Sequence, residues 1–208
     1  MKLRWDLAFY SATLASAVYL ASAGLAYSQY PGGYSPSTNW LSDLGDRNVN
    51  IDGASYYNAG ILIVAALLFL WFIGLSQWRV PANRPQPWLL LIAQVAGALG
   101  SLAVAMSAVF PIDLFQAHAF WSRAHYMMLA MGFGFSVAAL ACNPSYPRPL
   151  LYVGTIAAFS PLATLLAGDV YWLEWVSVGF FLIYVTSVGV SSMRRKEVPG
   201  RPTPREPV

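Results

Sequence analysis

Charged side chains are scarce in this sequence. Asp, Glu, Lys and Arg make up 10% of its 208 residues, whereas hydrophobic residues make up 57%. A soluble domain carries about 25% charged residues, so the composition excludes an ordinary soluble fold and indicates a membrane protein. A transmembrane helix needs about 20 apolar residues. Six segments qualify: 5–28, 56–77, 88–110, 122–142, 150–168 and 173–193.

We therefore predict an all-α integral membrane protein built as a bundle of six transmembrane helices. The bundle forms a single domain over residues 1–193. A basic, Pro-rich tail follows over residues 194–208, and its composition predicts disorder.

Cysteine is almost absent from the sequence, and the middle of each predicted span carries no charge. Cys142 is the only cysteine, so no internal disulfide can form. No Lys, Arg, Asp, Glu or His lies in the middle of a predicted span. This argues against ion pumps and proton-coupled transporters, because these proteins place ionisable groups there. The sequence also has no P-loop, no dinucleotide-binding fingerprint and no Gly-x-Ser-x-Gly nucleophile elbow.

The few basic residues are strongly segregated. If the N-terminus is cytoplasmic, all of the 12 Lys and Arg residues except Arg47 and Arg123 lie on the cytoplasmic side. Positively charged loops favour that side, so we predict a multi-pass cell-membrane protein with both termini inside. The net charge of +3 then belongs to the inner rim and tail, where it attracts anionic membrane lipid. It indicates no nucleic-acid partner.

The N-terminal stretch MKLRW, followed by an apolar run and ASAG, is similar to a signal peptide with a small-residue cleavage site. The apolar run continues to Leu25, which is long enough to cross a membrane. We therefore expect a retained first helix.

Polar residues gather in the first outer loop, between residues 29 and 55. QYPGGYSPSTNW is rich in turn-forming Pro and Gly, and NWLSDLG favours a short helix capped by Ser37 or Thr38 and ended by Gly45. One side of this helix would carry Trp40, Leu41 and Leu44 against lipid or protein, and the other Asn39, Ser42, Asp43 and Asp46. We predict an interfacial helix over the mouth of the bundle.

Four motifs give the chain a resemblance to a known family. They are NWLSDLGD after the first helix, Asn58 and Gly60 opening the second, FPID ending the third, and a histidine opening the fourth. The chain resembles the family called domain of unknown function 998 (DUF998), six-helix membrane proteins akin to the Frag1/DRAM/Sfk1 group. The resemblance covers helices one to four and implies the fold but no reaction. It implies characteristic polar positions at Ser42, Asp43, Asn58, Asp113 and His125.

Carboxylate and imidazole groups on the outer face could in principle form a metal site. The possible ligands for a divalent ion such as zinc, manganese or iron are Asp43, Asp113, His118, His125, Asp169 and Glu174, and the first four of these are the preferred candidates. On one continuous helix His118 and His125 would stand about 10 Å apart along the axis and could not share an ion. Only a break near residues 121–123 would let them converge. The strong zinc spacings His-x-x-x-His and His-Glu-x-x-His are missing.

Structural roles account for the same residues. His125 would hydrogen-bond Asp43 or Asp113, and His118 would be a solvated loop residue in the interfacial stretch DLFQAHAFW. Asp113 would cap the turn after Pro111. Arg123 would pair with nearby carboxylates. We expect Asp43 to contact Arg123 or His125 directly, or Asp113 through a water, a shared proton or a cation.

Small residues recur at four-residue spacing on two of the predicted helices. They are Ala93, Gly97 and Ser101 on the third helix and Gly132 and Ser136 on the fourth. Such ridges predict close helix packing in lipid.

Two classes of function fit these observations. The first is a non-catalytic membrane protein: an accessory subunit of other membrane proteins, or a lipid- or small-ligand-binding protein. Its outer recognition site would comprise Asn39, Ser42, Asp43, Asn58, Asp113, Arg123 and His125. The second is an intramembrane hydrolase that acts on a lipid of the outer leaflet. In it Asp43, Asp113 and His125 would activate water, with or without a divalent metal. The missing metal spacing favours the first class.

Overall fold

Six long helices build the protein. The computed structural model describes residues 6–80, 83–168 and 170–197, without the side chains of 195–197. The helices are α1 (Leu7–Ser28), α2 (Ala54–Gly74), α3 (Gln86–Val109), α4 (Phe115–Ala141), α5 (Pro149–Leu166) and α6 (Trp172–Glu197). All six are long and apolar enough to cross a membrane, and the described residues contain no strand. The prediction of an all-α protein with six candidate transmembrane helices is confirmed.

The helices form a closed ring. Each packs against its neighbours in the sequence, and α6 also packs against α1. Because successive helices run in opposite directions, the bundle has two distinct ends. The loop face carries the long α1–α2 loop together with the α3–α4 and α5–α6 connections. The tail face carries the α2–α3 and α4–α5 connections and the end of α6.

Packing differs along the length of the bundle. The tail-face half has an aromatic centre of Trp71, Phe72, Phe133 and Tyr184, all at most 1% exposed. Their ring centroids lie 4.9 to 6.0 Å apart, and the indole Nε1 of Trp71 donates to the carbonyl of Val185 at 3.1 Å. The loop-face half holds a second, smaller cluster on α1, α2 and their loop. Open space remains between the two clusters.

Helices α3 and α4 make a close backbone contact, as the four-residue spacing of small residues predicts. Gly97 and Gly132 face each other there. A Cβ atom added to Gly132 would lie 3.0 Å from the Cα atom of Gly97, and one added to Gly97 would collide with the ring of Phe72. Because Gly97 and Gly132 have no side chains, α3 and α4 can approach each other and enclose the ring of Phe72.

Helix α4 differs most from its predicted extent. It begins at Phe115 rather than residue 122, so the break considered near residues 121–123 does not occur and His118 lies in the helix rather than in a loop. The physical reason is that residues 115–124 contain neither Pro nor Gly, so nothing stops the helix from starting soon after Pro111. At the other end of the chain, α6 continues to Glu197, so the predicted tail starts inside a helix. Residues 198–208 lie outside the described residues.

Candidate functional site

A short 3-10 helix, Leu41–Gly45, covers the bundle at the loop face; we call it the lid. Leu41 is 3% exposed and Leu44 is fully buried. Both pack in the loop-half cluster with Tyr19 of α1 and Tyr57 of α2. The apolar side of the lid therefore faces protein and holds the lid against the helices.

Glu174, in the first turn of α6, caps the lid. Its Oε2 atom accepts hydrogen bonds from the backbone N–H groups of Leu41 at 2.7 Å and Ser42 at 3.3 Å. Its Oε1 atom accepts from the hydroxyl of Tyr126 on α4 at 3.0 Å. The side chain is buried, so a single carboxyl group joins the lid, α4 and α6. The expectation that Ser37 or Thr38 caps this helix is wrong, because their hydrogen bonds stay within residues 35–39.

Amide side chains attach the lid to the neighbouring helices. The Nδ2 atom of Asn58 on α2 donates to the carbonyl of Gly45 at 2.9 Å. Buried Asn50 donates to the carbonyls of Ala26, at the end of α1, and Leu44 at 3.0 and 2.8 Å. The bonds to Leu44 and Gly45 satisfy backbone carbonyls that the short lid cannot satisfy itself, and the bond to Ala26 ties the same loop to α1.

Asp43 stabilises the lid from within. Its Oδ2 atom accepts from the backbone N–H of Trp40 at 2.9 Å and from Nδ2 of Asn39 at 3.4 Å. Partial burial raises the pKa of its carboxyl group above the ordinary value. Within the described part of the chain, no hydrogen bond or ion pair joins Asp43 to Arg123 or His125, because the amide three residues earlier offers Asp43 a nearer partner. The prediction of a direct contact with either residue is wrong, whereas the contact with Asp113 through a water, a shared proton or a cation stays a prediction.

Asp113 pairs instead with Arg47. The guanidinium donates to both carboxylate oxygens, with Nη2–Oδ2 at 2.6 Å and Nε–Oδ1 at 3.2 Å. This pair joins the α1–α2 loop to the α3–α4 turn, and the bond to Asp113 raises the pKa of Arg47. The capping role predicted for Asp113 is wrong, since Pro111 holds the N-cap position of the 3-10 helix Ile112–Leu114. Arg123 is exposed and has no ion-pair partner among the described residues.

A cavity of about 120 Å³ lies beneath the lid. On α2 its lining runs from Asn58 to Leu68, which is about 15 Å at 1.5 Å per residue. Polar side chains line the end near the loop face: Ser42, Asn58, His118, Ser122, His125, Tyr126 and Glu174. Apolar side chains line the deeper part: Leu68, Val104, Leu129, Phe133, Val178, Phe181, Leu182 and Val185. The cavity is thus narrow and amphipathic.

The two histidines have different surroundings in this cavity wall. Nδ1 of His118 lies 3.0 and 2.9 Å from the carbonyls of Ser107 and Phe110. Because carbonyls only accept, this nitrogen carries the proton, and it ties α4 to the end of α3. Nδ1 of His125 is buried and makes no hydrogen bond in the described part of the chain. The backbone of Trp121, one turn earlier on α4, is the polar group that interacts with the His125 ring.

The candidate metal ligands are not assembled. Among the described residues no three His, Cys, Asp or Glu side chains are close enough to hold one ion. Asp43 binds within the lid, Asp113 binds Arg47, and the two histidines belong to one continuous helix. Because of this separation, Asp43, Asp113 and His125 do not form one reactive group.

Of the predicted recognition residues, Ser42, Asn58 and His125 line the cavity, whereas Asn39, Asp43, Asp113 and Arg123 do not. The sequence reasoning considered Glu174 only as a possible metal ligand and not as a recognition residue, and it missed Tyr126 altogether. One signal could have indicated Glu174. It is an acidic residue at the start of a predicted span, where an ionisable group needs partners.

Comparison with known proteins gives no help with identity: no family model, no curated protein and no solved structure matches this chain. The resemblance to DUF998 therefore stays a prediction. The function has to be inferred from the cavity, the lid and the chemistry of their side chains.

Proposed function

We propose that this protein binds a small amphiphile, such as the head and first part of the chain of a single-chain lipid, in the cavity beneath the lid. The observation that carries this proposal is the polarity of the lining, which is polar under the lid and apolar deeper in the bundle. An amphiphile has the matching order of groups. Its chain would contact Leu129 and Phe181, while its head would reach the groups next to the lid.

The size of the cavity limits the ligand. Pockets for drug-sized molecules measure about 300–1,000 Å³, and this cavity has about 120 Å³. A narrow space of that volume suits one chain and a compact head group, and it excludes a two-chain phospholipid. The protein would act on such a ligand by binding it, as a carrier, sensor or accessory protein in the membrane.

The hydrolase alternative receives less support from the geometry. It requires Asp43, Asp113 and His125 to act on one water molecule, but each of these side chains has separate surroundings. General acid–base catalysis needs its groups within hydrogen-bond reach of a common reacting centre. We therefore favour binding over hydrolysis.

We place the loop face outside the cell and the tail face in the cytoplasm, in the cell membrane. Among the described residues, Arg79, Arg84, Arg148 and Arg194 belong to the tail face, whereas Arg47 and Arg123 belong to the loop face; this is the asymmetry that the positive-inside rule describes. In a Cys142→Ser background, a membrane-impermeant maleimide added to cells should label Ser37→Cys and not Arg79→Cys. Both positions are exposed, so the reverse labelling would contradict this orientation.

Filling the cavity should abolish binding. In Val104→Phe a phenyl ring would enter the cavity from α3, because the side chain of Val104 lines the cavity. The control is Leu102→Phe on the same helix, where the side chain is 57% exposed on the bundle surface. With the protein in phosphatidylcholine nanodiscs, a long-chain alcohol bearing a chain diazirine should label cavity residues in wild type and Leu102→Phe. Labelling should fall at least about tenfold in Val104→Phe, the equivalent of 1.4 kcal/mol. Equal labelling of all three proteins would contradict the proposal.

A further inference from the structure

Among the described residues, the polar end of the cavity contains an acidic side chain and no Lys or Arg. Glu174 is the one carboxylate among its described lining residues. The two basic residues of the loop face point elsewhere, because Arg47 binds Asp113 and Arg123 is exposed. An anionic head group would meet Glu174 in a low-dielectric space with no cation to compensate, and such juxtaposition of like charges costs several kcal/mol.

Glu174 still has capacity to accept a hydrogen bond. A carboxylate offers about four lone-pair sites, and three are used by Leu41, Ser42 and Tyr126. The remaining site suits a donor brought by the ligand. Because Glu174 both caps the lid and lines the cavity, that donor would come to lie directly under the lid.

His125 supplies the second, independent observation. Its Nδ1 atom is buried without a hydrogen bond, and its side chain lines the same polar end of the cavity as Glu174. A buried polar atom without a partner costs about 1–3 kcal/mol. A ligand that hydrogen-bonds this nitrogen removes that cost, which favours a polar head group at this point.

We infer that the head group bound here is a hydrogen-bond donor without negative charge, a hydroxyl or an amino group, and that Glu174 and His125 are the residues that select it. This inference rests on the proposed binding function and specifies its ligand. A hydroxyl can donate to Glu174 and accept from His125. An amino group can donate to both. Carboxylate and phosphate heads are rejected by Glu174.

The test uses four probes that share one chain and one diazirine and differ only in the head: hydroxyl, amine, carboxylate or phosphate. Each is incorporated at the same mole fraction into phosphatidylcholine nanodiscs that contain the full-length protein, and adducts are mapped by mass spectrometry. The hydroxyl and amine probes should label cavity residues at least about tenfold more than the anionic probes, since a 1.4 kcal/mol penalty is tenfold. Equal or stronger labelling of the cavity by an anionic probe would overturn the inference and leave the binding function standing. Failure of all four probes to label the cavity would overturn both.

Two variants assign the selectivity to its residues. In Glu174→Gln the repulsion is gone, so labelling by the anionic probes should rise towards that of the alcohol. In His125→Phe the ring is kept but both nitrogens are lost, so labelling by the alcohol should fall several-fold while the discrimination against anions persists. Unchanged head-group selectivity in well-folded Glu174→Gln would contradict the role of Glu174. If one variant does not fold, the labelling of the wild-type protein by the four probes still tests the inference.

Discussion

Replacing Glu174 with alanine should lower the thermal stability of the protein more than any other single change at the loop face. The substitution leaves the amides of Leu41 and Ser42 and the hydroxyl of Tyr126 without their acceptor. Each buried donor left unpaired costs about 1–3 kcal/mol, so the melting temperature should fall by roughly 5 °C or more. Circular dichroism of the purified protein in detergent measures this directly.

Two matched substitutions separate the hydrogen bonds from the charge. In Glu174→Gln the amide oxygen still accepts from the lid, so most of the stability should return. Asp52→Ala removes an exposed carboxylate from the same face and should change the melting temperature by no more than about 2 °C, because exposed substitutions lie within about 0.5 kcal/mol. If Glu174→Ala had the same melting temperature as Asp52→Ala, Glu174 would not be holding the lid.

The second large effect is expected at the contact between α3 and α4. In Gly132→Ala the new methyl group would lie 3.0 Å from the backbone of Gly97 and 3.1 Å from the ring of Phe72. Phe72 is fully buried and the backbone of a packed helix cannot yield locally, so the two helices must separate. Overpacking costs about 1–3 kcal/mol, which should lower the melting temperature by several degrees.

Gly134→Ala is the control for this change, because Gly134 lies two residues further along the same helix. A Cβ atom there meets only the side chain of Ala158, at 3.9 Å, which is ordinary van der Waals contact. Alanine favours a helix over glycine by up to about 1 kcal/mol, so this variant should melt at or above the wild-type temperature. A stable Gly132→Ala variant would mean that the close approach of α3 and α4 is not required.

The sequence predicts the architecture well because its strongest signals are local. Long apolar runs identify the six helices, and the spacing of Gly97 and Gly132 indicates where two of them touch. The start of α4 was misplaced because the polar residues around His118 suggested a loop. Composition alone does not distinguish a solvated loop from a helix whose polar side lines a cavity.

The candidate site was harder to predict, because its contacts join distant parts of the chain. Glu174 lies 133 residues from Leu41 in sequence, and no local pattern states that one will cap the other. The sequence suggested that Asp43 and Asp113 would be partners of the histidines. In the structure each has another donor: the amide of Trp40 for Asp43 and the guanidinium of Arg47 for Asp113. Only the folded arrangement shows that Ser42, Asn58 and His125 share a cavity, while the other predicted recognition residues do not line it.

The most direct test of the central claim, an amphiphile held in the cavity beneath the lid, is a crystal structure grown with a long-chain alcohol brominated in its chain. The anomalous signal locates bromine without reference to the protein. Our account predicts a bromine peak inside the bundle, between Val104, Leu129 and Phe181, with the head of the chain next to Glu174 and His125. Bromine peaks found only on the outer surface of the bundle, beside exposed residues such as Leu99 and Leu102, would contradict it.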